Sequence, residues 1–143
     1  MLKSFTRIGL SKFLLGAVSI FLIPVYALAQ AGGATMSISP DSGTYAAGKT
    51  FTVNIMVDSA DGFNTGNATL NFDPTMLSAT GVSKGSSAFS LWAVEPSFDN
   101  GKGTVNFEGG NTSPLSGKKT ILAVSFKALK EGKADLTFSA GSV

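Results

Sequence analysis

Glu95 and Glu108 are the residues of this sequence best placed for acid–base chemistry. A pair of carboxyl groups can hydrolyse a glycoside when roughly 5 to 9.5 Å separates them, one giving a proton while the other acts as base or nucleophile. Little else supports catalysis. The 143 residues contain no histidine and no cysteine, which removes the usual general base, the thiolate nucleophile and most zinc sites. Glu95 precedes Pro96 and Glu108 precedes Gly109-Gly110, so two surface positions account for both, and the expectation is a protein that is not an enzyme.

Three further groups could bind rather than react. Asp58, Asp61 and Asp99 lie in or beside turn signals, where carboxylates can ligate calcium. No Asp-x-Asp-x-Asp-Gly loop with a distal glutamate is present, so this is not an EF-hand; no cofactor is the expectation, with a calcium site in these turns as the alternative. Trp92, the single tryptophan, stands in "FSLWAVEP" and is either a platform for a sugar ring or part of the core. Sugar-binding surfaces align two or three aromatics, and no such row is visible here. Asn67, Thr69 and Asn71 form a polar row that is either a hydrogen-bonding platform or the solvated face of a strand. Asn67-Ala68-Thr69 and Asn111-Thr112-Ser113 match the glycosylation pattern.

The elements that must carry these residues are strands. Apolar residues alternate with polar ones over short stretches, and nowhere do they recur at helical spacing for three turns. In Thr50 to Asp58, Phe51, Val53, Ile55 and Val57 share one face. In "NATLNFDP", Ala68, Leu70 and Phe72 point one way and Asn67, Thr69 and Asn71 the other, until Asp73-Pro74 stops the ladder, because proline has no N–H to donate. Further strands are expected over Thr35 to Ser39, Leu77 to Ser83, Phe89 to Val94, Thr104 to Glu108, Thr120 to Leu129 and Ala134 to Ser139. Turns are expected at Ser42-Gly43, Asp61-Gly62, Lys84-Gly85, Asn100-Gly101, Gly109-Gly110, Ser116-Gly117 and Glu131-Gly132. Asp99 to Gly103 reads as a hairpin turn. The consecutive apolar run Ile121 to Val124 suits a central strand. Together these predict an all-β antiparallel sandwich.

The N-terminus reads as an export signal. Lys3, Arg7 and Lys12 precede an apolar stretch from Phe13 to Tyr26, and Ala27-Leu28-Ala29 offers a cleavage site after Ala29. An uncleaved anchor is the rival, since Phe13 to Ala29 is near the lower limit for spanning a bilayer. Removing the three positive charges of this leader takes the net charge from +2 to −1. No lysine run longer than Lys118-Lys119 remains, so nucleic acid is not an expected partner, and a membrane contact would come only through the export signal or an anchor beyond the C-terminus. The expected organisation is a signal over 1–29, a flexible leader over 30–34 and one domain over 35–143. Because the sequence stops just after a strand, that domain is expected to lack its last partner strand.

The ordered set of features resembles the cohesin family. Alternating residues run into Phe72-Asp73-Pro74, then Met76-Leu77 and Gly81-Val82, matching an aromatic-Asp-Pro-x-x-Leu signature that follows the family's third strand. Gly48 with Thr50 to Val57 lies upstream; "GTVNFEGG" (103 to 110) and "ILAVSFKALKEGKADLTFS" (121 to 139) follow in order. The resemblance covers Thr35 to Val143. It implies a jelly-roll sandwich of about nine strands, the last absent here, that receives the dockerin modules of polysaccharide-degrading enzymes outside the cell. Carried over residue by residue, the docking face is Thr65, Asn67, Thr69 and Asn71 on the family's third strand, with Asn106 and Glu108 on its sixth. Typical cohesins place Asn and Asp where this chain has Thr65 and Asn67, which implies an atypical or non-cellulosomal cohesin. Calcium, in this reading, belongs to the dockerin. The alternatives are a module that binds polysaccharide directly and a structural or adhesin module with no ligand.

Overall fold

The computed structural model describes residues 33–143; the export signal and its cleavage at Ala29 lie outside the described residues. Eight strands, all paired antiparallel, follow in chain order: β1 (Thr35–Ser39), β2 (Ser42–Tyr45), β3 (Thr50–Asn71), β4 (Leu77–Ser83), β5 (Leu91–Asp99), β6 (Thr104–Ala128), β7 (Gly132–Asp135) and β8 (Thr137–Ser142). Among the described residues no helix is long and apolar enough to cross a membrane.

Two long strands organise the sandwich. The first limb of β3 pairs with β1 on one side and with the second limb of β6 on the other, and β4 flanks β6 there. The second limb of β3, Thr65 to Asn71, pairs with β8 and with Thr104 to Gly110 of β6, which β5 flanks. The result is two four-stranded layers, β1-β3-β6-β4 and β8-β3-β6-β5, that share β3 and β6. Their apolar faces meet in one core. Val53, Ile55, Val57, Leu122, Val124 and Phe126 come from the first layer and Ala68, Leu70, Val105 and Phe107 from the second, all buried. Phe72 meets Phe126 edge to face, with centroids 5.1 Å apart.

Three expected turns do not divide the strands. Asp61-Gly62, Gly109-Gly110 and Ser116-Gly117 fall inside β3 and β6, so four predicted strands merge into two. The ladder slips between Ser59 and Phe63 and again before Thr65, yet Phe63 still faces Leu115. Gly62 (φ 96°) and Gly117 (φ 70°) supply the left-handed backbone that such bulges use. These residues bend paired strands instead of ending them. A smaller bulge accounts for the apolar run in β6. Ile55 faces Leu122 and Met56 faces Thr120, leaving Ile121 as the extra residue. Ile121 and Leu122 are both buried as a result, while Ala123, Ser125 and Lys127 line the outer side. The strand is central, as expected, but one bulge, not a cover on both faces, explains its composition.

Local chemistry explains the remaining differences. Ser42-Gly43 opens β2 instead of a turn, because the Tyr45 ring lies across Gly43, where a Cβ would sit 2.6 Å from the phenol oxygen. The same ring stacks on Phe51 at 3.7 Å. Ala134 to Ser139 is divided at buried Leu136, whose N–H donates to the Asp41 carbonyl (2.7 Å). Strand β5 begins two residues later than expected and continues to Asp99. The hairpin after it is present, but the left-handed residue is Gly103 (φ 67°), not Asn100 or Gly101.

The Asp99 carboxylate organises that turn, accepting the backbone N–H groups of Gly101 (2.8 Å) and Lys102 (3.1 Å). The Lys102 amide, with help from Gly101 and the lysine charge, holds its pKa below the ordinary carboxylate value. A lowered folded-state pKa contributes stability above the unfolded value of about 3.9, and that stability is lost as the pH falls through the folded value. Melting temperature measured from neutral to strongly acid pH should therefore fall less steeply for Asp99→Asn than for the native protein.

Candidate functional site

The outer face of the β8-β3-β6-β5 layer gathers every residue of the expected docking surface. Residues directly opposite in an antiparallel pair point to the same side, so the register defines rows across four strands. One row runs Val94, Glu108, Asn67, Ser142; the next runs Ser97, Asn106, Thr69, Ala140. Thr65 stands opposite Gly110 and Leu91 at one end, and Asn71 stands opposite Thr104 at the other. The alternate residues Ala68, Leu70, Val105 and Phe107 point inward, which fixes the polar ones outward.

Hydrogen bonds tie the rows together. Asn67 Nδ2 donates to Ser142 Oγ (2.8 Å) and Thr69 Oγ1 donates to Asn106 Oδ1 (2.7 Å). Asn67, Thr69, Asn71 and Asn106 are half-buried by their neighbours, whereas Thr65 and Glu108 are exposed. Such a face offers amide and hydroxyl groups already oriented by the sheet, with one carboxylate in its middle.

Two apolar residues complete the face, and sequence reasoning passed over them. Leu91 and Val94 are 54% and 46% exposed. Simple alternation would put them on opposite sides, but the ladder slips between Trp92 and Val94, so both stand in the outer rows. A three-residue spacing hides this pair from a search for period two. The face thus combines an oriented polar field with two exposed apolar side chains along its β5 edge.

Trp92 lies elsewhere. It faces Gly109 on the inward side of the layer, with the indole Cε3 where a Cβ on Gly109 would come within 2.8 Å. Its ring meets Phe89 and Phe107 edge to face, at 5.9 and 6.3 Å. Lys84 Nζ sits 5.6 Å from the ring centroid and pairs with Glu95 at 2.6 Å. Trp92→Ala should therefore destabilise the fold by about 2 kcal/mol, less than a fully buried aromatic would, as read from urea denaturation. Loss of polysaccharide retention with an unchanged unfolding curve would instead mark a stacking platform.

The acidic residues are dispersed. Glu95 is drawn by Lys84 toward the Trp92 side, while Glu108 stands within the polar rows. Asp58 and Asp61 flank the bend of β3, and Asp99 is engaged in the hairpin at the far end of its second limb. Among the described residues no three acidic side chains converge on a point that could hold a metal ion.

The comparisons with known proteins agree with this architecture. A family model described as "Cohesin domain" matches residues 34–143. The sixth cohesin of scaffoldin B from Acetivibrio cellulolyticus, solved in complex with a mutant Cel5 dockerin, superposes with a TM-score of 0.61 at 18% identity, covering 76% of this chain and 82% of that one. A type II cohesin–X–dockerin complex from the same organism, an interface mutant, gives 0.55 at 20% identity over 76% and 78%. A non-cellulosomal cohesin from the archaeon Archaeoglobus fulgidus gives 0.50 at 16% identity over 68% and 66%. At these identities what the solved structures share with the chain is its fold. No curated protein matches the sequence. The family model, spanning both layers and all eight strands, makes the assignment: the chain belongs to the cohesin domain family.

Proposed function

We propose that this chain is an exported, non-catalytic module that captures a dockerin-type protein partner through the outer face of its β8-β3-β6-β5 layer. The observation that carries the reading is the convergence of Thr65, Asn67, Thr69, Asn71, Asn106 and Glu108 on adjacent rows of one face, edged by exposed Leu91 and Val94. Two of the related solved cohesins are described as complexes with a dockerin. A flat four-stranded face can supply the roughly 800 Å² that one side of a standard protein interface buries. Its mechanism is complementarity: the sheet holds amide, hydroxyl and carboxylate groups in fixed positions, and a partner helix lays its side chains against them. The role that follows is to assemble polysaccharide-degrading enzymes at the cell surface or in a secreted complex. Thr65 and Asn67, in place of the family's usual pair, point to an atypical dockerin.

Capture of secreted proteins on the immobilised chain, in calcium and again in chelator, tests the reading. Retention of a dockerin-bearing protein only with calcium is expected, since the calcium belongs to the partner. Failure to retain one, with adsorption of the chain to insoluble polysaccharide, would favour direct carbohydrate binding; failure of both would favour a structural or adhesin module.

A further inference from the structure

We propose that Asn100 is a deamidation site that the folded protein holds closed, and that its conversion releases the turn between β5 and β6 from the outer edge of β4. Asn100-Gly101 is the single Asn-Gly pair in the sequence. Glycine leaves its own amide nitrogen unhindered, so this dipeptide is where an asparagine side chain cyclises most readily. In that step the Gly101 nitrogen bonds to Asn100 Cγ, the Cγ–Nδ2 bond breaks, and ammonia leaves with the proton that the amide gives up. Water then opens the succinimide to aspartate or isoaspartate. No oxidant or reductant is needed.

The fold restrains both reacting groups. Asn100 Oδ1 accepts the backbone N–H of Ala79 at 2.7 Å, and Asn100 Nδ2 donates to the Ala79 carbonyl at 3.0 Å. These bonds fix the carboxamide. The nucleophile is held as well, because the Gly101 N–H donates to Asp99 Oδ1 at 2.8 Å and so keeps its proton. β4 pairs along one edge only, with β6. Asn100 therefore acts as a one-residue partner strand for β4, satisfying both backbone groups of Ala79 that point away from the ladder.

Conversion would undo this contact by simple chemistry. A carboxylate can still accept from the Ala79 N–H, but where Nδ2 donated there is now a second acceptor facing the Ala79 carbonyl. Two acceptors cannot share a hydrogen bond. An isoaspartate also inserts an additional backbone carbon into a turn whose geometry Asp99 and Gly103 define. Strand β5, which carries Leu91 and Val94, then loses its hydrogen-bonded link to β4 and keeps its pairing with β6, the Glu95–Lys84 ion pair and the Trp92 packing.

Peptide mapping by mass spectrometry tests the proposal directly. The protein is incubated at mildly alkaline pH, folded and in concentrated urea, and deamidation is followed in the peptide containing residues 99–102. The folded protein is expected to react on the order of tenfold more slowly or slower still, because local opening must first break the two hydrogen bonds of the Asn100 carboxamide and the one made by the Gly101 N–H. Asn100→Asp is expected to lower the melting temperature and to speed hydrogen exchange at Ala79 and along β5. If that variant does not fold, the same exchange is read on the deamidated fraction of aged native protein. Equal rates in the folded and unfolded chain would overturn the restraint, and native exchange in the converted protein would overturn the role of Asn100 as the tether.

Discussion

Asn67→Lys should abolish most partner capture while leaving the protein folded. Asn67 occupies the row between Glu108 and Ser142, near the middle of the candidate face, and its Nδ2 donates to Ser142 Oγ. Central interface positions carry the larger energies, and a buried mismatch there costs about 2 kcal/mol or more. By the usual relation of free energy to affinity, that is a loss of roughly 30-fold. The fold should tolerate the change, because the lysine stem can extend along the sheet and its ammonium can reach solvent or the facing Glu108. A surface substitution of this kind shifts stability by about 0.5 kcal/mol or less. Calorimetric titration with a captured partner, paired with a thermal melt, separates the two effects. Unchanged affinity with an unchanged melt would exclude this face as the docking surface, whatever the partner.

Gly103→Ala carries the largest expected cost to stability. Gly103 is buried with φ at 67°, a region that L side chains rarely adopt. A Cβ there would lie 2.2 Å from the Phe72 carbonyl oxygen and 2.9 Å from Pro74 Cδ. The obstacle is backbone, so no rotamer relieves it. The Gly103 carbonyl also accepts the Phe72 N–H at 2.9 Å, which clamps the β5–β6 turn onto the end of β3. Left-handed backbone alone costs about 1 to 2 kcal/mol for alanine. Separating the clamped backbones brings the expected total to about 4 kcal/mol, the magnitude of exceptional substitutions. Gly101→Ala is the natural control, since its Cβ would meet only Asp99 Oδ1 at 3.2 Å and its φ is not positive. Urea denaturation of both variants decides the matter: similar midpoints would mean that the turn at Gly103 relaxes freely.

Much of the fold was legible because burial on one face imposes period two. Thr35–Ser39 and Leu77–Ser83 are strands with the expected limits, and the inward set of Val53, Ile55, Val57, Ala68 and Leu70 is buried as the alternation requires. Asp73-Pro74 does end a strand: β3 stops at Asn71, and Asp73 Oδ1 accepts the Thr75 N–H at 2.8 Å to start the next turn. Glycine was less informative. The same residue type bends a continuous strand at Gly62, admits the Trp92 ring at Gly109, seats Tyr45 at Gly43 and makes a true turn at Gly103. Only the neighbour that fills the missing Cβ position distinguishes these uses, and except for Tyr45 at Gly43 that neighbour is remote in sequence.

The candidate face divides along the same line. Sequence alone determined that Asn67, Thr69 and Asn71 share a side of one strand and Asn106 and Glu108 a side of another, because alternation is a local property of extended backbone. It also determined an all-β chain whose family signature begins at Phe72. The tertiary structure decided what those residues face. Register joins Asn67 to Glu108 and Thr69 to Asn106, a bulge brings Leu91 beside Val94, and layer packing sends Trp92 to the opposite side. Register and bulges depend on strands that are separated along the chain, Thr69 from Asn106 by 37 residues and Trp92 from Gly109 by 17, and no local pattern encodes a pairing whose energy is realised only when both strands bury their inner faces together.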